Sequence, residues 1–207
     1  MLLKKKNIKK LNSVKYDFIF HLAADKRADY AESNPANVTI LNVLSTSNIS
    51  KIRTNKIILG STCKAADPIT SYGSSKLISE RIILNAGGNV ARFVNVFDTN
   101  ASVTKIWGKL KKNSPLPVTN CKRYFITLNE AVNLLLFTAS MPTGRYAYNN
   151  LKLVSIKNLA KMLYPNRILR KISLRFGDRL NEKLIGNSEK TKKINKHIIK
   201  IEDSWGI

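Results

Sequence analysis

The sequence predicts an α/β protein on a largely parallel sheet, and three observations carry that prediction. Short aromatic and β-branched segments alternate with helix-length amphipathic ones over the first hundred residues. The short segments end in small or polar residues that lead toward helices. Glycine and proline stand where helices should stop and start.

Residues 16–23, Tyr-Asp-Phe-Ile-Phe-His-Leu-Ala, read as a buried strand. Asn34-Pro35 then opens a helix to about residue 50, with Val38, Leu41 and Leu44 on its apolar side. Residues 56–59 form a second strand, followed by Gly60-Ser61-Thr62. Leu77, Ile78, Ile82 and Ile83 make residues 71–84 a helix, which Gly87-Gly88 ends. Residues 89–94 are a third strand. A βαβαβ unit needs parallel strands and right-handed crossovers. Its ligands lie at the carboxyl ends of the strands, here Leu22-Ala23-Ala24, Gly60-Ser61-Thr62 and residues 92–95. Beyond residue 100 the elements shorten. Helices are predicted at 103–111, 128–139 and 154–163, a proline-containing segment at 115–118, a strand at 145–148, and a charged, partly helical tail from Arg175. The expected division is one domain over 1–100 and a second over 101–207.

Composition bounds the function classes. With 43% hydrophobic and 24% charged residues the chain is globular, not disordered. No apolar run approaches the ~18 residues of a membrane span. The basic start, Met1 to Lys6, lacks the long apolar stretch and cleavage site of a signal peptide. Cys63 and Cys121 cannot build a disulfide framework, so a reducing, cytoplasmic location is expected. The net charge of +23 suggests nucleic acid or an acidic membrane, but lysine outnumbers arginine, and only the two ends are dense in it. The run 190–200, read as a helix, is taken as a solvated face, and nucleic acid is not the expected partner. No Cys/His/Asp cluster has metal-ligand spacing, so no metal is expected; His21 reads as a structural histidine, and Trp107 and Trp205 as packing residues.

Tyr72-Gly73-Ser74-Ser75-Lys76 places a tyrosine and a lysine four apart on one helical face. A nearby ammonium lowers a phenol's pKa, and such a tyrosine can move a proton at a sugar hydroxyl. With seven tyrosines the spacing arises about once by chance. Residues 148–152 repeat it at a strand end, where it is read as a decoy.

The surrounding segments make the motif specific. Asn34-Pro35 with Asn42-Val43-Leu44 resembles an N-P…T-N-V-L-G-T helix. Ser61-Thr62-Cys63-Lys64-Ala65-Ala66-Asp67-Pro68 resembles S-T-D-K-A-x-N-P. Arg92-Phe93-Val94-Asn95-Val96 with Ser102-Val103 resembles R-F-G-N-V…G-S-V. Arg123-Tyr124-Phe125 with Glu130-Ala131-Val132 resembles R-F-F…E-A-V, and Arg175-Phe176-Gly177-Asp178 with Glu182 resembles R-x-G-E/D and its acidic follow-on. These five ordered matches, from about residue 16 to 189, resemble the extended short-chain dehydrogenase/reductase superfamily. Within it they resemble its polysaccharide-biosynthesis (CapD-like) branch of UDP-N-acetylglucosamine 4,6-dehydratases.

That resemblance implies a partial Rossmann-like sheet over residues 1–100 and a small α/β nucleotide-sugar lobe with a basic tail over 101–207. It implies NAD or NADP as cofactor, with Ala23, Ala24, Asn42, Ser61, Tyr72 and Lys76 around it. It implies catalytic roles for Tyr72, Lys76, Thr62, Lys64 and the position of Cys63, and substrate contacts from Lys26, Asn95, Arg123 and Arg175. The two arginines would grip the diphosphate of a UDP-sugar. Two positions depart from the pattern. Cys63 stands where the family has aspartate, and a thiol titrating near ~8.5 is a poor carboxylate substitute. The glycine-rich strand-turn-helix that holds a dinucleotide's pyrophosphate is absent, and the chain reads as starting just before the fourth strand of the 3-2-1-4-5-6 order. Reduced cofactor affinity is the expected consequence. The strand at 16–23 would become an edge, open to another copy or to a complementing chain that supplies the missing strands. The expected activity is C4 oxidation of a UDP-N-acetylhexosamine followed by dehydration or epimerisation. The alternatives are a non-catalytic UDP-sugar-binding fragment or subunit, and a basic nucleic-acid-binding protein.

Overall fold

The computed structural model describes residues 5–100 and 102–204. The chain forms two compact units: residues 1–93, 133–149 and 183–207 in the first, and residues 94–132 and 150–182 in the second. The first unit thus draws two segments from beyond residue 100.

In chain order the elements begin with α1 (Lys5–Leu11), β1 (Tyr16–His21), α2 (Ala28–Ser33) and α3 (Pro35–Thr39). A π-helical turn at Ile40–Leu44 leads into α4 (Ser45–Ile49) and β2 (Thr54–Thr62). A 3₁₀ turn at Cys63–Ala65 precedes α5 (Ser71–Asn85) and β3 (Asn89–Phe93). Next come β4 (Asn95–Val96), α6 (Val103–Lys109), β5 (Leu116–Val118), β6 (Lys122–Arg123), β7 (Phe125–Ile126) and α7 (Leu128–Ser140). The rest are β8 (Gly144–Tyr148), β9 (Val154–Ser155), α8 (Ile156–Leu163), β10 (Leu169–Lys171), β11 (Glu189–Lys193) and β12 (Ile198–Asp203).

The first unit is built on a six-stranded sheet of order β1-β2-β3-β8-β12-β11. The pairs β1–β2, β2–β3 and β3–β8 are parallel, as the βαβαβ reading requires, while β12 runs antiparallel to both β8 and β11. One face is filled by Ile57, Leu59, Ile83 and Val90 with Ile19, and another cluster joins Leu134 of α7 to Ala91, Tyr146 and Ile198.

Two expectations need correction. Residues 16–23 are not a buried strand. β1 is the sheet's edge, and Phe18 and Phe20 remain 51% and 39% exposed on the face that Ile19 does not use. The apolar alternation is real, but burial depends on a neighbour that local sequence does not reveal. The tail is not helical either: residues 190–200 lie in the β11–β12 hairpin, turned by Asn195, whose Oδ1 accepts from the backbone N–H groups of His197 and Ile198, each at 2.8 Å. Ile198, Ile199 and Ile201 are buried, and β-branched residues favour a pleated surface over a helix.

In the second unit Trp107 is fully buried among Leu116, Val118, Ile156 and Leu159, and its indole N–H donates to Pro117 O at 3.0 Å. It is the packing residue expected. Trp205 lies outside the described residues.

The first unit also encloses an ion cluster. Arg92 on β3 donates to both oxygens of Glu80 on α5, at 3.1 and 2.7 Å, and to both oxygens of Glu189 on β11, at 2.7 and 2.8 Å. Arg145 on β8 lies 2.8 Å from Glu80, 3.0 Å from Glu189 and 3.6 Å from Asp203. Burial alone would raise the Glu80 carboxyl, but the guanidiniums of Arg92 and Arg145 bring it below its ordinary value. A depressed carboxyl stabilises the fold above its unfolded-state pKa, and that stability is lost as pH falls through the folded value. Glu80→Gln should lower stability at pH 7 by about 3–5 kcal/mol, because it leaves two buried guanidiniums undercompensated. Urea unfolding over a series of pH values checks this: the gap between wild type and variant should narrow as pH drops below the ordinary carboxylate range.

Candidate active site

In the first unit the site is assembled at the carboxyl ends of β1 and β2 and the first turn of α5. After His21 the chain runs through Leu22 to Arg27 without regular structure. Ala23, Ala24, Asp25, Lys26 and Arg27 line a cavity of about 610 Å³ together with His21, Leu41, Ser45 and Ile49.

Asn42, in the π-helical turn, holds this loop. Its Oδ1 accepts from Asp25 N–H at 2.8 Å, and its Nδ2 donates to Asp25 O at 3.0 Å and to Ser75 Oγ at 3.0 Å. One buried amide therefore ties the loop after β1 to α5. His21 lies beside it, with Nε2 2.8 Å from Thr46 Oγ1, whose hydroxyl donates to Asn42 O at 2.6 Å. With the threonine proton so used, Nε2 is the donor. Burial and then the Lys76 charge lower its pKa to about 4, so it stays neutral at physiological pH, as a structural histidine should.

β2 ends at the buried Ser61 and half-buried Thr62, and the 3₁₀ turn carries Cys63 and Lys64. Thr62 Oγ1 accepts from Lys64 N–H at 3.4 Å, and Cys63 is buried with Sγ 3.9 Å from that hydroxyl. Thr70 caps α5 by accepting from Gly73 N–H at 3.0 Å. Gly73 is required by close approach: a Cβ there would stand 2.4 Å from Lys64 O. The cap and the contact press the start of α5 onto the 3₁₀ turn and bring Tyr72 to Thr62.

Tyr72 is 8% exposed. Burial raises its phenol above the ordinary 10.0; Lys64 pulls it down, the charges of Cys63 and Asp25 push it up, and a hydrogen bond with Thr62 pulls it down. Of the charges around the phenol, Lys64 has the largest effect. Lys76, one turn along, sends its ammonium to Gly60 O at 2.8 Å. Burial lowers the Lys76 pKa to about 8, partly offset by Glu80. Asp25 was not legible as a site residue. Its carboxylate, held by Arg27 through Nε at 3.0 Å and Nη2 at 2.5 Å, is the acidic group that bears on Tyr72.

The second unit holds the other expected residues. Asn95 Nδ2 donates to Glu182 Oε2 at 2.6 Å and to Tyr124 O at 2.9 Å, and Tyr124 N–H donates to the same carboxylate at 3.2 Å. Arg123 Nη2 meets Asp178 Oδ1 at 3.2 Å, and Arg175 Nε meets Asp178 Oδ2 at 3.4 Å. The two arginines that the motifs singled out therefore converge on one carboxylate.

Gly73→Ala should cost about 1–3 kcal/mol by overpacking the turn beneath α5. Gly108→Ala, whose new Cβ would find only Tyr164 Oη at 3.7 Å, should be neutral or stabilising. Thermal unfolding of the two variants side by side checks the contrast.

The profile of the family described as "Polysaccharide biosynthesis protein" matches residues 2–203. The chain is 30% identical over 191 residues to a UDP-N-acetylglucosamine 4,6-dehydratase (inverting) of Campylobacter jejuni subsp. jejuni serotype O:23/36 (strain 81-176), covering 84% of this chain and 57% of that protein. It therefore spans less than two thirds of that relative. Pen from Bacillus thuringiensis superposes with a TM-score of 0.85 at 23% identity, over 95% of this chain and 69% of that one. DesIV, a dTDP-glucose 4,6-dehydratase from Streptomyces venezuelae solved with NAD and TYD bound, gives 0.71 at 18% identity, over 86% and 67%. The structures share the α/β fold; the profile match over almost the whole sequence shows that the chain belongs to the polysaccharide biosynthesis protein family.

Proposed function

We propose that the chain binds a UDP-N-acetylhexosamine and takes part in its oxidation at C4 with NAD(P), as a dehydratase/epimerase-like protein of polysaccharide biosynthesis. The observation that carries this reading is the placement of Tyr72, buried in the capped first turn of α5 beside Thr62, Lys64 and Asp25.

In this reading Tyr72 Oη takes the proton of the C4 hydroxyl, and Thr62 orients that hydroxyl. A nicotinamide bound in the site supplies the hydride acceptor. For Tyr72 to act as base its phenol must lose a proton; burial opposes this and Lys64 favours it. Lys76 supplies a donor from the same helix, and Ala23, Ala24, Asn42 and Ser61 shape the cofactor side. Lys26 and Asn95 contact the sugar. Arg123 and Arg175 hold the diphosphate, for which planar guanidinium forks are suited.

The residues present fit the reactive end of such a cofactor: Ala23 and Ala24 line a cavity at the end of β1, and the buried Lys76 of α5 reaches Gly60 O of β2. They do not supply its pyrophosphate cradle, because the sequence has no glycine-rich strand-to-helix turn. A second reading is a non-catalytic UDP-sugar-binding fragment or subunit. The open edge of β1, with Phe18, Phe20 and Leu22 exposed, is where a complementing chain or a second copy would add its strand. No helix among the described residues is long and apolar enough to cross a membrane. A cytoplasmic location belongs to the proposal, in keeping with two cysteines that form no disulfide among the described residues.

Calorimetric titration with UDP-N-acetylglucosamine separates the readings. Arg123→Ala and Arg175→Ala should each weaken binding by tenfold or more, on the order of 1.5–3 kcal/mol for a charged hydrogen bond. Turnover that Tyr72→Phe abolishes establishes the enzyme; binding without turnover supports the subunit. Steeply salt-dependent DNA binding indifferent to Arg175 would instead support the nucleic-acid reading.

Cys63 bears on the reaction type. A thiol is a weaker acid and a weaker hydrogen-bond partner than a carboxyl group, so it serves poorly where elimination of water needs a carboxylate. Cys63→Asp should raise dehydration relative to C4 epimerisation, read as the ratio of 4-keto-6-deoxy product to epimer by NMR. An unchanged ratio would remove Cys63 as the determinant.

A further inference from the structure

Residues 175–178 form a tight turn in which Asp178 N–H donates to Arg175 O at 3.0 Å. Gly177 sits at φ +78°, a conformation that glycine adopts without the strain a side chain would bring. The turn places Arg175 and Asp178 side by side at its two corners. Arg123 arrives from β6, fixed by Nη1 donating to Lys122 O at 3.0 Å and to Arg179 O at 2.7 Å. Its guanidinium is therefore built in, and its side chain is 11% exposed. The Arg175 side chain is 75% exposed and is held only at the long distance of 3.4 Å.

The Asp178 carboxylate thus gives one oxygen to each guanidinium. Both contacts are longer than the 2.7–2.9 Å typical of charge-assisted hydrogen bonds, so they are weak. Two like charges converging on one locus repel unless an anion lies between them. A carboxylate and a phosphate satisfy the same fork, but a diphosphate carries more charge and more acceptor oxygens.

We propose that Asp178 is an internal latch: its carboxylate bridges Arg123 and Arg175 until a ligand's diphosphate displaces it and takes over both guanidiniums. The latch rests on the reading of these arginines as diphosphate-binding residues, and it adds regulation at that site. Without ligand it holds the arginines in place; on binding, the turn bearing Arg175 gives up Asp178 and closes on the diphosphate.

The test is calorimetric titration of the purified chain with inorganic pyrophosphate and, separately, UDP. Asp178→Asn keeps the side chain's shape and removes its charge. It should bind pyrophosphate about two- to fivefold more tightly, the range expected for losing two weak, partly exposed competing ion pairs. Asp98→Asn, which removes a surface carboxylate paired with Lys105 in the same unit, should leave the affinity unchanged and so controls for the general rise in positive charge. Adding Arg123→Ala to Asp178→Asn should abolish the gain. Should Asp178→Asn fail to fold by circular dichroism, Asp178→Ser, which also suits a turn, serves the same comparison. Unchanged or weaker pyrophosphate binding by the Asp178 variant overturns the latch. So does weaker UDP binding with pyrophosphate unchanged, which would put Asp178 on the nucleoside. If Arg123→Ala and Arg175→Ala leave pyrophosphate binding intact, the diphosphate reading itself fails, and that result is distinct from failure of the latch alone.

Discussion

The arrangement of the first unit depends on the buried Glu80–Arg92–Glu189–Arg145 cluster. Four charges in a dry interior are tolerated only when each faces an opposite one, so the cluster dictates which strands can be neighbours. Glu189 must lie against both Arg92 and Arg145. Slipping β11 by one residue would turn Glu189 outward and set Lys190 against two guanidiniums. The hairpin can therefore join the sheet in one register. Asp203 at the end of β12 reinforces it, reaching Arg145 from within and lying 4.0 Å from the half-exposed Arg81.

The same cluster touches the site through α5. Glu80 lies one turn beyond Lys76, which lies one turn beyond Tyr72, so a single helix carries a buried anion, a buried cation and a buried phenol in series. Glu80 holds up a lysine that burial alone would depress further. The start of that helix is set by three local devices: the Thr70 cap, the Gly73 contact with Lys64 O, and the Asn42 amide that joins Ser75 to the loop after β1. Tyr72 gets its position from these and its surroundings from Thr62, Lys64 and Asp25. The phenol is raised by burial, so the protein alone keeps it protonated at neutral pH. A base function then calls for additional positive charge near it.

What the sequence reveals follows from which forces are local. β2, α5 and β3 are legible because their apolar spacing reflects burial against elements close in the chain. The hairpin is not, because residues such as Ile198, Ile199 and Ile201 among lysines suit more than one period in so short a run, and only pairing with β8 selects the strand. β1 was legible as a strand, and the resemblance also marked it as an edge, where the strand order has it; its burial was not legible. Within the site, Tyr72, Lys76, Thr62 and Asn42 lie in motifs with a readable order. Asp25 lies in irregular backbone outside any motif, and a carboxylate in a loop has no periodic signature; Glu182 lies in a readable motif, but its partner Asn95 comes from an element distant in sequence.

The carboxylates are few, and most of those in the ion clusters are committed within the protein. The sequence has 13 acidic residues against 36 basic ones. Glu80, Glu189, Asp203, Glu182, Asp178, Asp25 and Asp67 are all engaged in hydrogen bonds or ion pairs within the protein. Few carboxylates are left to balance the surface lysines. The net charge of +23 follows from that count alone, whichever carboxylates are paired. It still has a consequence, because a field of one sign draws small anions toward the protein whatever produced it. A field of that kind attracts all phosphates alike. Discrimination must come from groups fixed in geometry, and Arg123, held by two backbone carbonyls and a carboxylate, is such a group, whereas a solvated lysine is not.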